Sequence, residues 1–223
     1  MPIFAFVQDN TPMSDRTALR VHPERAAPSE VDAILSAGIV AHVGLVDSRG
    51  PIVIPMIYHY VVGDPAKLYL HGAPHSSLIA AASAGAPMCA TITLLDGLVY
   101  SRTALYHSVN YRSVVCFGRG AIASDDERRR VLDAMIPRYF PSRTAGRDYD
   151  PMPNAHVQAT VVIAMTVDEA SAKVRRGGPK GPRDADPTAP GTAGLIDFPR
   201  LELAVGNEDR TSTHTNARAD LKE

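Results

Sequence analysis

The chain has 223 residues, 45% of them hydrophobic, which is enough to bury the core of one domain of ordinary size. Its 23 basic and 24 acidic residues give a formal net charge of −1, leaving no surplus to hold nucleic acid or an anionic membrane and pointing to a small-molecule partner. The two cysteines, Cys89 and Cys116, sit singly in apolar runs without a C-x-x-C pair, so no disulfide framework is predicted and a reducing, cytoplasmic setting is expected.

Residues 1–28 carry scattered charge and proline and predict an arm, with one short strand at Ile3 to Val7. The start, MPIFAFVQDNTPMSD, lacks a basic region followed by an apolar stretch, and no run is long enough to span a bilayer, so a soluble, unexported protein is expected. Ser29 then predicts the cap of a helix through Ala37, with Asp32 three residues on, Val31, Ile34 and Leu35 facing inward, and Gly38 as the stop.

Runs rich in β-branched and aromatic residues predict strands at 39–46, 52–61, 67–70, 88–94, 99–105, 114–122 and 160–167. Turn signals separate them, notably Asp47-Ser48-Arg49-Gly50, Gly63-Asp64-Pro65 and Asp96-Gly97. Pro55 demands an edge, a bulge or a nearby ligand. Two helices interrupt the strands, one over 76–84 and one opened by Ser124 with a Ser-x-x-Glu box to Glu127, burying Val131, Leu132, Met135 and Tyr139. Seven short strands with helices only at the flanks predict a mainly β fold, an antiparallel barrel rather than a parallel sheet. After Val174 the run RRGGPKGPRDADPTAPGTAG is too rich in glycine, proline and charge to fold alone. The expected division is an arm at 1–28, a barrel domain at 29–176 and a tail at 177–223, of which 195–203 docks as a short element.

Two stretches carry candidate chemistry. Between the apolar runs 99–105 and 114–122 stand Tyr106, His107, Ser108, Asn110, Tyr111, Arg112 and Ser113. They read either as a solvated loop or as a connection that holds a ligand with planar and anionic parts. The stretch from Lys67 to Leu78 reads as strand, turn and helix start, which aims backbone N–H groups and a helix dipole at one spot. A phosphate would sit there, helped by the hydroxyls of Ser76 and Ser77 and a charged donor from His71 or His75, or Ser76 merely caps the helix. His71 and His75 span a turn containing Gly72 and Pro74, with no acidic or thiol partner close by, so no metal site is predicted. There is no Ser-His-Asp order, nucleophile elbow or Walker loop. A fold that binds a phosphate and a flat ring but brings no nucleophile leaves the chemistry to a cofactor, and flavin mononucleotide (FMN) meets that description.

The strings T-x-T-L-L-D-G-L-V-x-x-R at 91–102, H-S-x-N-Y-R-S-V at 107–114, VIPMIY at 53–58, LYLHGA at 68–73 and EASAKVR at 169–175 resemble the pyridoxamine 5′-phosphate oxidase-related flavin-nucleotide-binding proteins, in the branch holding nitroimidazole-resistance (Nim-type) proteins. The resemblance implies a split β-barrel, a homodimer and two FMN sites at the subunit interface. It also implies that Pro55, Met56, Ile57 and Tyr58 line the isoalloxazine ring and that His71, Gly72, Ser76 and Ser77 take the phosphate end. His107, Ser108, Asn110, Tyr111 and Arg112 would complete the site from the second subunit, and Lys173 and Arg175 match the family's tail motif. Each has a plain alternative: Tyr58 and Tyr111 as packing aromatics, Arg102 and Arg112 as partners of carboxylates, Asn110 as a turn former. The arginine- and lysine-rich substrate set of a true pyridoxamine phosphate oxidase is missing, so oxidation of that vitamin is not implied. The implied activity is an FMN-dependent oxidoreductase passing electrons from a reduced donor to a small acceptor such as a nitro compound, with His59 or His107 relaying protons. The alternative is a flavin- or haem-binding sensor of the same fold, with His71 or His107 as axial ligand.

Overall fold

Alternation along the strands decides which side of each one is buried. In the computed structural model, which describes residues 14–199, the strands are β1 (Val40–Asp47), β2 (Gly50–Ile57), β3 (His59–Val61), β4 (Lys67–Gly72), β5 (Pro87–Tyr100), β6 (Ser108–Ile122), β7 (Val161–Arg175) and β8 (Gly194–Asp197). All eight join one sheet in the order β2-β1-β5-β6-β7-β4-β3, with β8 paired to β5, and every pairing is antiparallel. The inward residues Ala41, Val43, Leu45, Leu68, Leu70, Ala90, Ile92, Val114, Cys116, Ile163 and Met165 form the core. Helix α1 (Val31–Ala37) adds Ile34 and Leu35 to it, and α2 (Ser77–Ser83) adds Leu78, Ile79, Ala81 and Ala82. A second apolar layer lies where α3 (Asp125–Tyr139) and α4 (Asn154–Ala159) bring Val131, Leu132, Met135 and Val157 onto Tyr69, Val162 and Ala164, so β4 and β7 are covered on both faces there. Among the described residues no helix is long and apolar enough to cross a membrane.

Several expectations need correcting. Helix α1 is not capped by Ser29: a 3-10 turn at Pro28–Glu30 leads into it, and its N-cap, Glu30, makes no side-chain cap bond. Ser124 does accept the Glu127 N–H, at 3.3 Å, but the Glu127 carboxylate does not return to the cap. It accepts instead from the Tyr69 hydroxyl at 2.6 Å and the Lys67 ammonium at 3.2 Å. The strand expected over 52–61 breaks at Tyr58, whose N–H donates to Tyr139 Oη at 3.1 Å while the same hydroxyl donates to the Tyr58 carbonyl. Pro55 lies on β2, the last strand at one end of the sheet, where a missing N–H costs little.

The runs 88–94 and 99–105 belong largely to one strand, β5, which ends at Tyr100, and Asp96-Gly97 is a bulge within it rather than a turn. Strand β6 starts at Ser108, so the polar connection shrinks to 101–107. Strand β7 runs on to Arg175, eight residues past the expected end at Val167. Helix α4 was not anticipated. The docked tail element is β8, which pairs Gly194–Asp197 with β5; residues 200–203 of that expectation, and the strand at Ile3 to Val7, lie outside the described residues.

Candidate functional site

The register aligns Pro55, His42, Thr91, Val115 and Ser171 in one cross-strand row and Val53, Gly44, Cys89, Phe117 and Glu169 in the next. Both rows lie on the side of the sheet away from the core, because the core residues Val43, Ala90, Val114, Cys116 and Ala172 alternate with them. This outer face is largely apolar and exposed at its β1–β2 end, with Val46 at 69%, Val53 at 64% and Ile57 at 41% of full exposure. A groove of about 550 Å³ crosses it over Val46, Pro51, Val53, Cys89 and Phe117. A Cβ on Gly44 would stand 2.9 Å from Cys89 Sγ, so glycine keeps the groove floor low. Arg16, 4.6 Å over the Phe117 ring, and Arg119 border it. Asp168 also lines the groove and Arg16 faces Glu169 at 3.9 Å, so the rim carries both signs of charge around an apolar floor that suits a flat aromatic ligand.

Pro55 and Ile57 share the outer side, but Met56 packs inward against the core. Tyr58 is fully buried; its hydroxyl donates to the Leu35 carbonyl at 2.6 Å and the Arg138 guanidinium stands 4.9 Å over its ring. Tyr58 is thus a core residue and Met56 is half-buried against the core, so neither side chain lies on the outer face.

At the β4–α2 turn, Ser76 Oγ accepts the Ile79 N–H at 3.4 Å, and Ser77 Oγ donates to Asp47 Oδ2 at 3.2 Å. Hydrogen bonds from Arg49 hold the Asp47 carboxyl down at about 2, so it is ionised and weakens this turn as an anion cradle. Gly72 leaves ordinary room, a Cβ there meeting only Ser76 Oγ at 3.5 Å.

His59 pairs with Tyr69 and His71 with Val162, which places both histidines on the part of the sheet that α3 covers. Nδ1 of each is buried without a hydrogen-bond partner among the described residues. Burial lowers the pKa of both below the usual 6.5, with the Arg138 charge adding to the effect at His59, so both rings are neutral at pH 7. Below about pH 6.5 the unfolded chain takes up protons that the folded chain resists, so stability falls as the pH drops. The thermal midpoint is expected to decline between about pH 7 and pH 5, and His59→Gln/His71→Gln to flatten that decline; equal slopes in the two proteins would refute this assignment. His107 is exposed on the 101–107 connection with Nδ1 3.0 Å from the Ala104 carbonyl oxygen.

Ser108 opens β6, and Tyr111, half-buried, pairs with Leu95 and Arg175. Arg112 makes a two-pronged pair with Asp96, Nη2 to Oδ1 at 2.6 Å and Nε to Oδ2 at 2.9 Å, the carboxylate pairing that its plain alternative expected. Asn110 is buried and donates to the Gly177 carbonyl at 3.1 Å, while Arg175 Nη1 donates to its Oδ1. Lys173 pairs with Ser113 and touches the N-terminal segment through a bridge to Ala26. Sequence reading missed Asp184, whose carboxylate accepts from Ser101 Oγ at 2.9 Å, Arg102 N at 2.8 Å and Gly181 N at 2.6 Å. Those bonds fasten the tail over the end of β5; a charge in a proline- and glycine-rich run gave no sign of them.

An antiparallel split β-barrel with flanking helices and an apolar outer groove is the class these observations define. The pyridoxamine 5′-phosphate oxidase family matches residues 27–174, and the chain belongs to it. Solved structures agree. The flavocytochrome Anf3 from Azotobacter vinelandii is 30% identical, covering 88% of this chain and 90% of its own, with a TM-score of 0.73. An FAD and heme binding protein from Mycobacterium smegmatis is 32% identical over 77% of this chain and 82% of its own, TM-score 0.67. A putative 5-nitroimidazole antibiotic resistance protein from Bacteroides thetaiotaomicron is 25% identical over 66% of this chain and 84% of its own, TM-score 0.53. No curated protein matches the chain.

Proposed function

We propose that this protein is a flavoprotein that holds a flavin, FMN or its dinucleotide, on the outer face of β1, β2, β5 and β6 and passes electrons to a small acceptor. The observation that carries this reading is the apolar groove of about 550 Å³ rimmed by Arg16 and Arg119. It is supported by two relatives at 30% and 32% identity whose names record a flavocytochrome and an FAD and heme binding protein. A bound flavin supplies hydride and single-electron chemistry; the chain supplies an apolar bed through Val53, Pro55, Ile57 and Phe117 and charge at the rim. The exposed side chains of Val46, Val53 and Ile57 also favour a homodimer that covers this face and shares its sites, which sedimentation as a stable monomer would contradict. A cytoplasmic setting suits the two free thiols.

A second reading adds haem. His71 meets its first requirement, a half-buried neutral imidazole with a ring nitrogen that no described residue satisfies. His107 fits less well, being exposed with Nδ1 already turned to a carbonyl. The deciding experiment is the visible spectrum of the purified protein, repeated after adding FMN, FAD and haem separately. Flavin bands that stay with the protein through gel filtration are expected; protein that ignores both flavins overturns the flavoprotein reading.

A further inference from the structure

The N-terminal segment is pinned along the end of β7 by the Ala27 N–H bonded to the Ala172 carbonyl at 3.1 Å and by the bridge from Ala26 to Lys173. Between the two runs a cleft of about 340 Å³, lined by Glu24, Arg25, Glu30, Arg175, Arg176 and Lys180 among others. Its two carboxylates are already engaged. Both oxygens of Glu30 are taken by Arg176, at 2.7 and 2.6 Å, and Glu24 faces His22 at 3.0 Å and Arg25 at 3.7 Å. Arg175 and Lys180 have no carboxylate partner among the described residues.

Arg175 is also held in place. Its Nη1 donates to the side chain of Asn110, which is only 7% exposed and is itself fixed by its bond to the Gly177 carbonyl. That leaves Nε and Nη2 without partners among the described residues. Burial and the neighbouring Arg25 charge lower the Arg175 pKa, as expected where like charges converge with no anion between them. Arg25, Arg175, Arg176 and Lys180 fall at or just beyond the two ends of the family-matched span 27–174, so the cleft forms where those ends meet.

We propose that this cleft binds a phosphate group, held by the forked donors of Arg175 and the ammonium of Lys180, with Arg25 beside them. Four cations against two carboxylates leave the cleft two positive charges in excess, which suit a dianion better than a single carboxylate, and a preset guanidinium fork suits phosphate oxygens. The phosphate chemistry has two sources, the flavin's own phosphate or the phosphate of a nicotinamide donor. Only the first of these rests on the flavin reading.

Calorimetry on the full chain with inorganic pyrophosphate as probe separates the inference from that reading. Arg175→Gln/Lys180→Gln is expected to weaken pyrophosphate by about tenfold or more. That loss supports the cleft whether or not any flavin binds. Wild-type protein that ignores pyrophosphate, or a folded double variant within about twofold of wild type, overturns the proposal. Lys180→Gln alone, at an exposed position, serves as the folded control should Arg175→Gln disturb the tail: it is expected to weaken the probe in the same direction, and an unchanged affinity counts against the site. Two ligand pairs then name the source. A loss for FMN but not riboflavin assigns the flavin phosphate, and a loss for NADPH but not NADH assigns the donor's.

Discussion

Gly118→Ala is expected to destabilise the barrel by about 3 kcal/mol, at the upper end of what overpacking costs. Gly118 stands on β6 at the bulge where Phe117 pairs with Glu169 and Gly118 with Val167, leaving Asp168 as the extra residue of β7. A Cβ there would meet the Thr166 carbonyl oxygen at 1.8 Å, with the Thr166 carbonyl carbon at 3.0 Å and Asp168 N at 3.5 Å. All three are main-chain atoms inside a ladder, so no rotamer change gives way and the strand itself has to shift. The bulge also separates two halves of β7 with different neighbours: Val162 and Ala164 lie under α3, whereas Ser171 joins the outer-face row. Strain at Gly118 therefore reaches the site as well as the core. Gly178→Ala, where an added Cβ meets nothing within 4 Å, is the matched control and is expected to stay within about 0.5 kcal/mol. Denaturant titration compares them, and coincident midpoints for Gly118→Ala and wild type would refute the claim.

What could be read from the sequence follows the range of the interactions involved. The caps at Ser76 and Ser124 were legible because each bonds an N–H three residues away, and the missing N–H of Pro55 narrowed its place to an edge, a bulge or a nearby ligand, of which the edge is found. Asp96-Gly97 looked like a hairpin turn because its local chemistry is that of a turn. The strand continues through it because Arg112 on β6 holds the Asp96 carboxylate and β8 lies against Gly97, partners that are distant in sequence. Tyr58 was assigned to the ligand by its place in a motif, yet Tyr139, 81 residues on, takes both its backbone groups, and α1 takes its hydroxyl. The barrel and the strands of the candidate face were thus visible in pattern and motif. The division between ligand-facing and core-facing side chains was not, since it depends on which elements fold back over them.

The largest functional effect is expected at His71. Full-length protein titrated with haem should give a shifted Soret band, and His71→Ala should abolish the shift, because this half-buried ring is neutral at pH 7, the form that ligates iron. His107→Ala should leave the band in place, since His107 sits exposed on a short connection. His59 makes the test sharp. It shares with His71 the covered sheet face, the orphaned Nδ1 and the lowered pKa, but its ring lies 6.2 Å from that of Tyr69 and close enough to Arg138 to feel its charge. A nearby guanidinium disfavours a second positive centre, so His71 is the better ligand. External imidazole added to His71→Ala should restore the band if the side chain ligates iron and should fail if it only supports the strand. A His71→Ala protein that keeps the wild-type Soret position and amplitude would remove haem ligation at this residue while leaving the flavin reading intact, because the groove over Val53 and Phe117 lies on other strands.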